Sequence, residues 1–268
     1  MASTGKTADG TAFEIHGSEN APTVVLVHGL GLSRRLFDPM LAWFADHFHT
    51  IIYDLYGHGD SVPPPQTADL TLYSMQIKRL LTHLNVEKAS VVGFSIGGMI
   101  NRRFAMDFPY ELDKLIIWNS PHDRGEEGQK LVEARASQVR DQGTMSTLPD
   151  ALKRWFTPEF REQAPEQVDL VRQWRERVDT EGYAQAAWVL ANGVRELIGP
   201  DHPIQAPALV MTCENDTGST VQHMWQIAAE LEQADVLEIP QLRHLGLMEA
   251  PEAFAKPTIN FLLGKDAS

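Results

Sequence analysis

Six short runs of the chain are apolar almost without interruption: residues 23–27 (Thr-Val-Val-Leu-Val), 50–53, 90–92, 115–118, 208–211 and 236–239. Each is rich in β-branched side chains, and none but the last carries a charge. This is the pattern of strands covered on both faces, as in the interior of a parallel sheet. Phe13-Glu14-Ile15 alternates instead, and predicts a short antiparallel edge strand. Between the apolar runs the spacing turns helical, for example over 72–84 and 221–232. Strands alternating with helices predict an α/β fold, a doubly wound and mostly parallel sheet with helices on both faces.

One region breaks the alternation. From about Pro121 to Glu196 the chain is charged and helically spaced, with no convincing strand, and it carries Trp155, Phe156, Phe160, Trp174, Tyr183 and Trp188. Strand, helix and strand resume directly after it. The pattern therefore predicts a core made of residues 1–120 and 197–268, with a helical cap, 121–196, inserted between two sheet strands. The alternative is a separate small helical domain. Pro63-Pro64-Pro65 reads as a rigid loop, and no internal repeat is visible.

Composition narrows the function class. The 268 residues are 43% hydrophobic and 22% charged, those of a soluble globular protein, and carry a formal net charge of −13. Such a surface repels phosphate backbones and anionic lipid, so neither nucleic acid nor membrane is an expected partner. The single cysteine, Cys213, excludes an internal disulfide and any paired-cysteine metal motif. The first ten residues lack the apolar segment of a signal peptide, and no stretch approaches the roughly 18 apolar residues of a membrane span. A cytoplasmic location is the expectation.

The candidate chemistry begins at Gly93-Phe94-Ser95-Ile96-Gly97, a G-x-S-x-G motif with a strand-like run before it and a helix-like run after it. A serine lifted onto a tight strand-to-helix turn brings the chain close to itself on both sides, which explains the small neighbours. A tight turn alone accounts for the glycines but not for the serine, so Ser95 is the candidate nucleophile. The Ile96 N–H then lies at a helix N-terminus, where the helix dipole favours a developing oxyanion. The loop His28-Gly29-Leu30-Gly31 follows an early strand, and the Leu30 N–H is the candidate second donor. A serine hydroxyl needs a base. His244 follows the last strand and Asp216 follows the one before it, so both belong at the sheet edge that carries Ser95. Glu214 and Asp123 compete with Asp216 for the acid. His28 reads as a packing and hydrogen-bonding residue, and Asp54 and His58 as loop-fixing partners. His47 and His49 have no further ligand nearby, so neither metal nor cofactor is expected.

These residues together, His28 through Gly31, Asp54 through Ser61, Gly93 through Gly98, Asp216, and His244-Leu245 with Glu249-Ala250-Pro251, resemble the α/β-hydrolase superfamily over nearly the whole chain. Residues 154–160 (Arg-Trp-Phe-Thr-Pro-Glu-Phe) and Glu181-Gly182-Tyr183 are similar to the cap of 3-oxoadipate enol-lactonases, which open an enol-lactone ring in aromatic-acid degradation. Phe37 stands where those enzymes usually have tryptophan, Tyr56 where they have arginine, and 191–194 (Ala-Asn-Gly-Val) replaces a segment that usually carries aspartate. These departures are expected on the pocket side, which leaves the chemistry intact and the substrate open. The resemblance implies a Ser95–His244–Asp216 triad that hydrolyses a small-molecule carboxylic ester or lactone through an acyl-enzyme. The same fold and triad also serve carbon–carbon bond hydrolases of ring-fission diketones and slow-turnover ligand sensors. Arg34, Phe94, Trp155 and Trp188 are candidate substrate contacts. Arg35 and Arg124 are further cations for a substrate carboxylate, each with a solvated surface role as the alternative. Arg102 and Arg103 read as structural. Oligomeric state is left open.

Overall fold

The structure is a computed structural model, and it describes residues 3–266. Eight strands form one sheet: β1 (Ser3–Lys6), β2 (Ala12–His16), β3 (Thr23–Val27), β4 (His49–Tyr53), β5 (Ala89–Phe94), β6 (Leu112–Trp118), β7 (Ala208–Cys213) and β8 (Ala234–Ile239), in the spatial order β1-β2-β4-β3-β5-β6-β7-β8. β2 pairs antiparallel with both β1 and β4, and β3 to β8 run parallel. From β3 the chain steps to β4 on one side and then returns to β5 on the other. The order reverses there, so the loops after β3 and β5 part and leave a crevice at the carboxyl edge of the sheet.

The continuous apolar runs follow from burial on both faces. Val25, Val27, Ile51, Tyr53, Val91, Ile117 and Val210 point to one face. There they pack under α2 (Leu70–His83), α3 (Ile96–Asp107) and α9 (Val221–Ala229). Val24, Leu26, Ile52, Val92, Ile116, Leu209 and Met211 point to the other face, against α1 (Leu41–Ala45) and α11 (Pro251–Leu262). Each fully buried aliphatic side chain contributes about 1.5–3 kcal/mol, so a central strand with two covered faces is mostly aliphatic.

Two edges differ from expectation. Phe13-Glu14-Ile15 lies inside β2, which is second from the edge, because Ser3–Lys6 adds outside it with Ser3 opposite Ile15. Val236–Ile239 belongs to β8, the far edge strand, where only Ile239 is buried because one side has no neighbouring strand. α2 begins two residues before the predicted 72–84, where the Asp69 side chain accepts from the Leu72 N–H at 2.6 Å as an N-cap. α9 stops at Ala229, short of the predicted 232, as the chain turns into β8.

Between β6 and β7 the chain is helical: α4 (Gly125–Gln142), α5 (Leu148–Trp155), α6 (Pro158–Gln163), α7 (Pro165–Glu176), α8 (Thr180–Asn192) and a 3-10 turn, Gly193–Glu196. Small residues let α4 and α8 approach closely, Ala136 and Val139 meeting Ala184, Ala187 and Ala191. Leu148, Phe156 and Val171 join the cluster on one face of the sheet, and Ala186 and Val189 the cluster on the other. α10 (Gly246–Glu249) follows β8 and leads into α11. Among the described residues no helix is long and apolar enough to cross a membrane.

Candidate active site

Ser95 stands between the end of β5 and the start of α3 with φ 59° and ψ −117°. A side-chain-bearing residue held there costs on the order of 1–3 kcal/mol and persists only where its surroundings over-determine it. They do so here. The Ser95 N–H donates to Trp118 O at 2.9 Å, and Ser95 O accepts from the Gly98 N–H at 3.0 Å. A Cβ on Gly93 would lie 2.1 Å from Gly97 O, and one on Gly97 would lie 2.4 Å from Val27 O. Only glycine allows the two sides of the turn to meet. Ser95 precedes α3 without capping it through its side chain, so the hydroxyl is left to face outward.

That hydroxyl meets His244. Ser95 Oγ lies 3.1 Å from His244 Nε2, and His244 Nδ1 lies 2.6 Å from Asp216 Oδ2. With the Nδ1–H donating to the carboxylate, Nε2 is the free lone pair that accepts from the serine. The imidazole sits between the rings of Phe94 and Trp155, centroids 5.0 and 5.9 Å away. The Leu245 N–H donates to Trp155 O at 2.9 Å and ties the His244 loop to α5. Asp216 Oδ1 accepts from the Gly218 and Ser219 N–H groups at 2.8 and 3.0 Å, and Asn119 Nδ2 donates to Oδ2 at 2.9 Å. Burial works against ionisation of Asp216, but the nearby imidazole and these donors outweigh it and hold the carboxyl below its ordinary value. Glu214 faces elsewhere: its Oε2 accepts from the Gln241 N–H at 2.7 Å. Asp123 is exposed, and its Oδ1 accepts from the Gly125 N–H.

The loop after β3 is held from beneath by two histidines in matching roles. His28 donates through Nδ1 to Gly29 O (2.8 Å) and accepts at Nε2 from the Leu55 N–H (3.0 Å). His58 donates through Nδ1 to Tyr56 O and accepts at Nε2 from the Gly31 N–H, both at 3.0 Å. Each ring spends one nitrogen as donor and one as acceptor, which is the neutral tautomer. Burial pushes the His28 pKa down to about 4 and that of His58 to about 3, the His28 ring adding to the second shift. Leu30 from this loop lines the same cavity as Ser95, while Ile96 is buried at the first turn of α3.

A cavity of about 610 Å³ opens above Ser95, roofed by α4, α5, α7 and α8. Phe94 and Trp155 line it. Arg34 does not. Its guanidinium pairs with Asp54 and reaches Asp60 at 2.8 Å, and its backbone N–H donates to Asp54 Oδ1, so it braces the loops after β3 and β4. Arg35 is likewise turned to Glu14. Trp188 is 51% exposed on the outer side of α8 and is not among the lining residues.

The three departures expected on the pocket side also lie off it. Phe37 packs against Trp118 with ring centroids 6.5 Å apart. The Tyr56 hydroxyl donates to Asp9 at 2.6 Å. Residues 191–194 stop short of the lining, which takes Ala187 and Leu190 from α8. Arg124 does line the cavity, although its donors reach Leu190 O and Ala191 O. Arg102 is buried against Glu230 and Leu197 O.

Three residues at the site escaped sequence reasoning as site residues: Asn119, Arg154 and Arg175. Asn119 had one readable signal, its position directly after an apolar strand run. Arg154 had only its place in the cap-like segment 154–160, and Arg175 had none, because a charged residue on an amphipathic helix looks like a solvated one. Among the described residues no group of three or more His, Cys, Asp or Glu side chains is gathered as a metal centre.

Comparison with known proteins bears on the family and the fold. Residues 24–256 match the model of the alpha/beta hydrolase family. The chain is 30% identical over 243 residues to 3-oxoadipate enol-lactonase 2 of Acinetobacter baylyi, covering 90% of this chain and 89% of that one. It is 29% identical over 245 residues to (E)-2-((N-methylformamido)methylene)succinate hydrolase of the same organism, covering 90% of each. The crystal structure of the enol-lactonase from Burkholderia xenovorans LB400 superposes with a TM-score of 0.87 at 24% identity, over 97% of this chain and all of that one, a likeness of fold.

Proposed function

The chain belongs to the alpha/beta hydrolase family, and we propose that it hydrolyses a carboxylic ester or lactone of a small molecule through a Ser95–His244–Asp216 triad. The observation that carries this reading is the continuous hydrogen-bonded line from Ser95 Oγ through His244 to Asp216, with spacings of 3.1 and 2.6 Å, at the floor of the cavity. His244 Nε2 takes the hydroxyl proton as Ser95 Oγ attacks the carbonyl carbon. Asp216 keeps the imidazole in the right tautomer and stabilises the imidazolium. The oxyanion is received by the Leu30 and Ile96 N–H groups, the second at the N-terminus of α3. His244 returns the proton to the leaving alcohol, and for a lactone that alcohol stays tethered to the acyl group. Water activated by the same nitrogen then releases the acid and frees Ser95.

Residues 121–196 act in this reading as a cap that encloses the substrate, since α4, α5, α7 and α8 all contribute lining. A volume of about 610 Å³ suits a small molecule rather than a polymer. The test is turnover of p-nitrophenyl short-chain esters and of small lactones, with a fluorophosphonate to label Ser95. Many turnovers per enzyme, abolished by the label, are expected. An enzyme that cleaves ring-fission diketones but no ester or lactone, or that binds ligands with near-single turnover, would overturn the reading.

A further inference from the structure

The whole chain carries −13, yet the lining of the cavity reverses that sign. Four arginines line it, Arg124, Arg135, Arg154 and Arg175, against two carboxylates, Asp123 and Asp216. Asp216 is engaged by His244, Asn119 and two backbone N–H groups. Asp123 is exposed and turned to the Gly125 N–H. Among the described residues none of the four arginines forms an ion pair with a carboxylate.

Arg175, on α7, is the extreme case. It is 1% exposed. Its guanidinium lies over the Tyr183 ring at 4.4 Å and over the Trp155 ring at 5.6 Å, so the aromatics fix its plane. Nη1 donates to Thr144 O at 3.2 Å, and the buried Nε has no acceptor. The group also touches the loop after β3: a Cβ on Gly31 would lie 2.1 Å from Nε, and Gly31 itself has φ +71°. Burial of a cation is costly unless an anion or several acceptors compensate. Here one carbonyl and two ring faces do so in part; Nε is closed off against Gly31, and the residue borders the cavity. Burial also draws the guanidinium pKa down from its usual value, with Tyr183 acting the other way.

We infer that Arg175 is a specificity-determining residue that receives a carboxylate of the substrate, so that the enzyme prefers esters or lactones bearing a free carboxylate to their neutral counterparts. The inference rests on the hydrolase reading for its catalytic consequence, but the binding it describes does not need turnover. A planar guanidinium held between two rings is set to meet a carboxylate in its own plane. The half-exposed Arg154 and the exposed Arg135 add positive potential that counters the repulsion of the acidic surface.

The test compares two chain-matched esters, mono(4-nitrophenyl) glutarate and 4-nitrophenyl pentanoate. Wild type should favour the charged ester in kcat/KM by at least about tenfold, and Arg175→Met should lower that value for the charged ester by on the order of 10²-fold, mainly through KM. The loss on the neutral ester should be at least about tenfold smaller than on the charged one, the fold of the variant is checked by circular dichroism and Tm, and Arg175→Lys should recover part of the loss. Equal loss on both esters, or no preference in wild type, would overturn the assignment and make Arg175 a packing residue. Independently of turnover, glutarate should raise the Tm of Ser95→Ala and should not raise that of Ser95→Ala/Arg175→Met. Glutarate that stabilises neither or both equally overturns the carboxylate role. Glutarate binding that depends on Arg175, in an enzyme that turns over neither ester, leaves this assignment standing and counts against the ester reading instead.

Discussion

The two walls of the cavity are built on opposite principles. On the sheet side the groups that hold the site in shape have their partners: His28 and His58 use both ring nitrogens, and Asp216 collects four donors. On the helical side the polar groups are held in position yet left incomplete, with Arg175 stacked between rings while its Nε lacks an acceptor. A fully satisfied network is rigid and holds geometry for a proton transfer. A fixed but incomplete one is ready for a ligand to finish it. The sheet side therefore carries the proposed chemistry and the helical side the recognition, and substitutions on the two sides should differ in what they change.

The largest effect is expected at Ser95. Ser95→Ala should lower kcat for a p-nitrophenyl ester by on the order of 10⁴- to 10⁶-fold while the protein stays folded. Near-wild-type turnover in purified variant would remove Ser95 from the chemistry.

Next comes the acid. Asp216→Asn should cost on the order of 10³- to 10⁴-fold in kcat, because the amide no longer holds the Nδ1–H tautomer of His244. Glu214→Gln should cost less than about threefold, since Glu214 is tied to the Gln241 N–H outside this network. The opposite order of these two variants would move the acid to Glu214.

The satisfied wall also predicts how stability depends on pH. His28 and His58 have folded pKa values of about 4 and about 3, against about 6.5 in an unfolded chain. Between those values the unfolded state binds more protons than the folded one. Their contribution is therefore fully present above about pH 6.5 and is lost as pH falls toward the folded values, by up to about 1.4 kcal/mol per pH unit for each histidine. Asp216, with its folded pKa below the ordinary value, contributes in the same direction only below about pH 4, where the unfolded carboxyl begins to protonate. Urea unfolding should show constant stability from pH 8 to 7 and a decline from pH 6 to 5, shallower in His58→Gln. A profile that is flat from pH 8 to 5 contradicts the neutral, buried state of the two rings.

The smallest effects separate two tryptophans. Trp155→Ala should shift relative kcat/KM across a panel of esters and lactones by about tenfold, as a lining side chain against His244 is lost. Trp188→Ala, on the exposed side of α8, should leave the same ratios within about twofold and stability within about 0.5 kcal/mol. Equal selectivity changes for the pair would mean that the lining extends to the outer side of α8.

Residues differ in how legible their roles were, for physical reasons. β3, β5 and β7 were plain because a strand covered on both faces is apolar almost throughout. β1 was invisible because Ser3–Lys6 lies at an edge, is largely exposed and is held by its pairing with β2. The meeting of Ser95, Asp216 and His244 was readable because each lies in the connection that follows a parallel strand, and those connections share one edge of the sheet. Arg34 misled for the converse reason. Its acidic partners come from the loop after β4, and nothing local to Arg34 announces them. Trp188 misled because which side of α8 points inward depends on where the small residues of α4 and α8 meet.

The sequence by itself determined the alternation of strands and helices, the strained serine turn with its glycines, and the order in which candidate nucleophile, acid and base appear. These rest on short-range steric and burial rules that each segment obeys alone. Only the tertiary structure decided that Asp216 rather than Glu214 faces His244, that Arg34 is bound to Asp54 and Asp60, and that Arg175 is buried beside Gly31 with a donor left over. Those outcomes depend on how helices far along the chain pack over the sheet edge. An arginine, whose long stem permits many directions, takes its role from whichever neighbours that packing supplies.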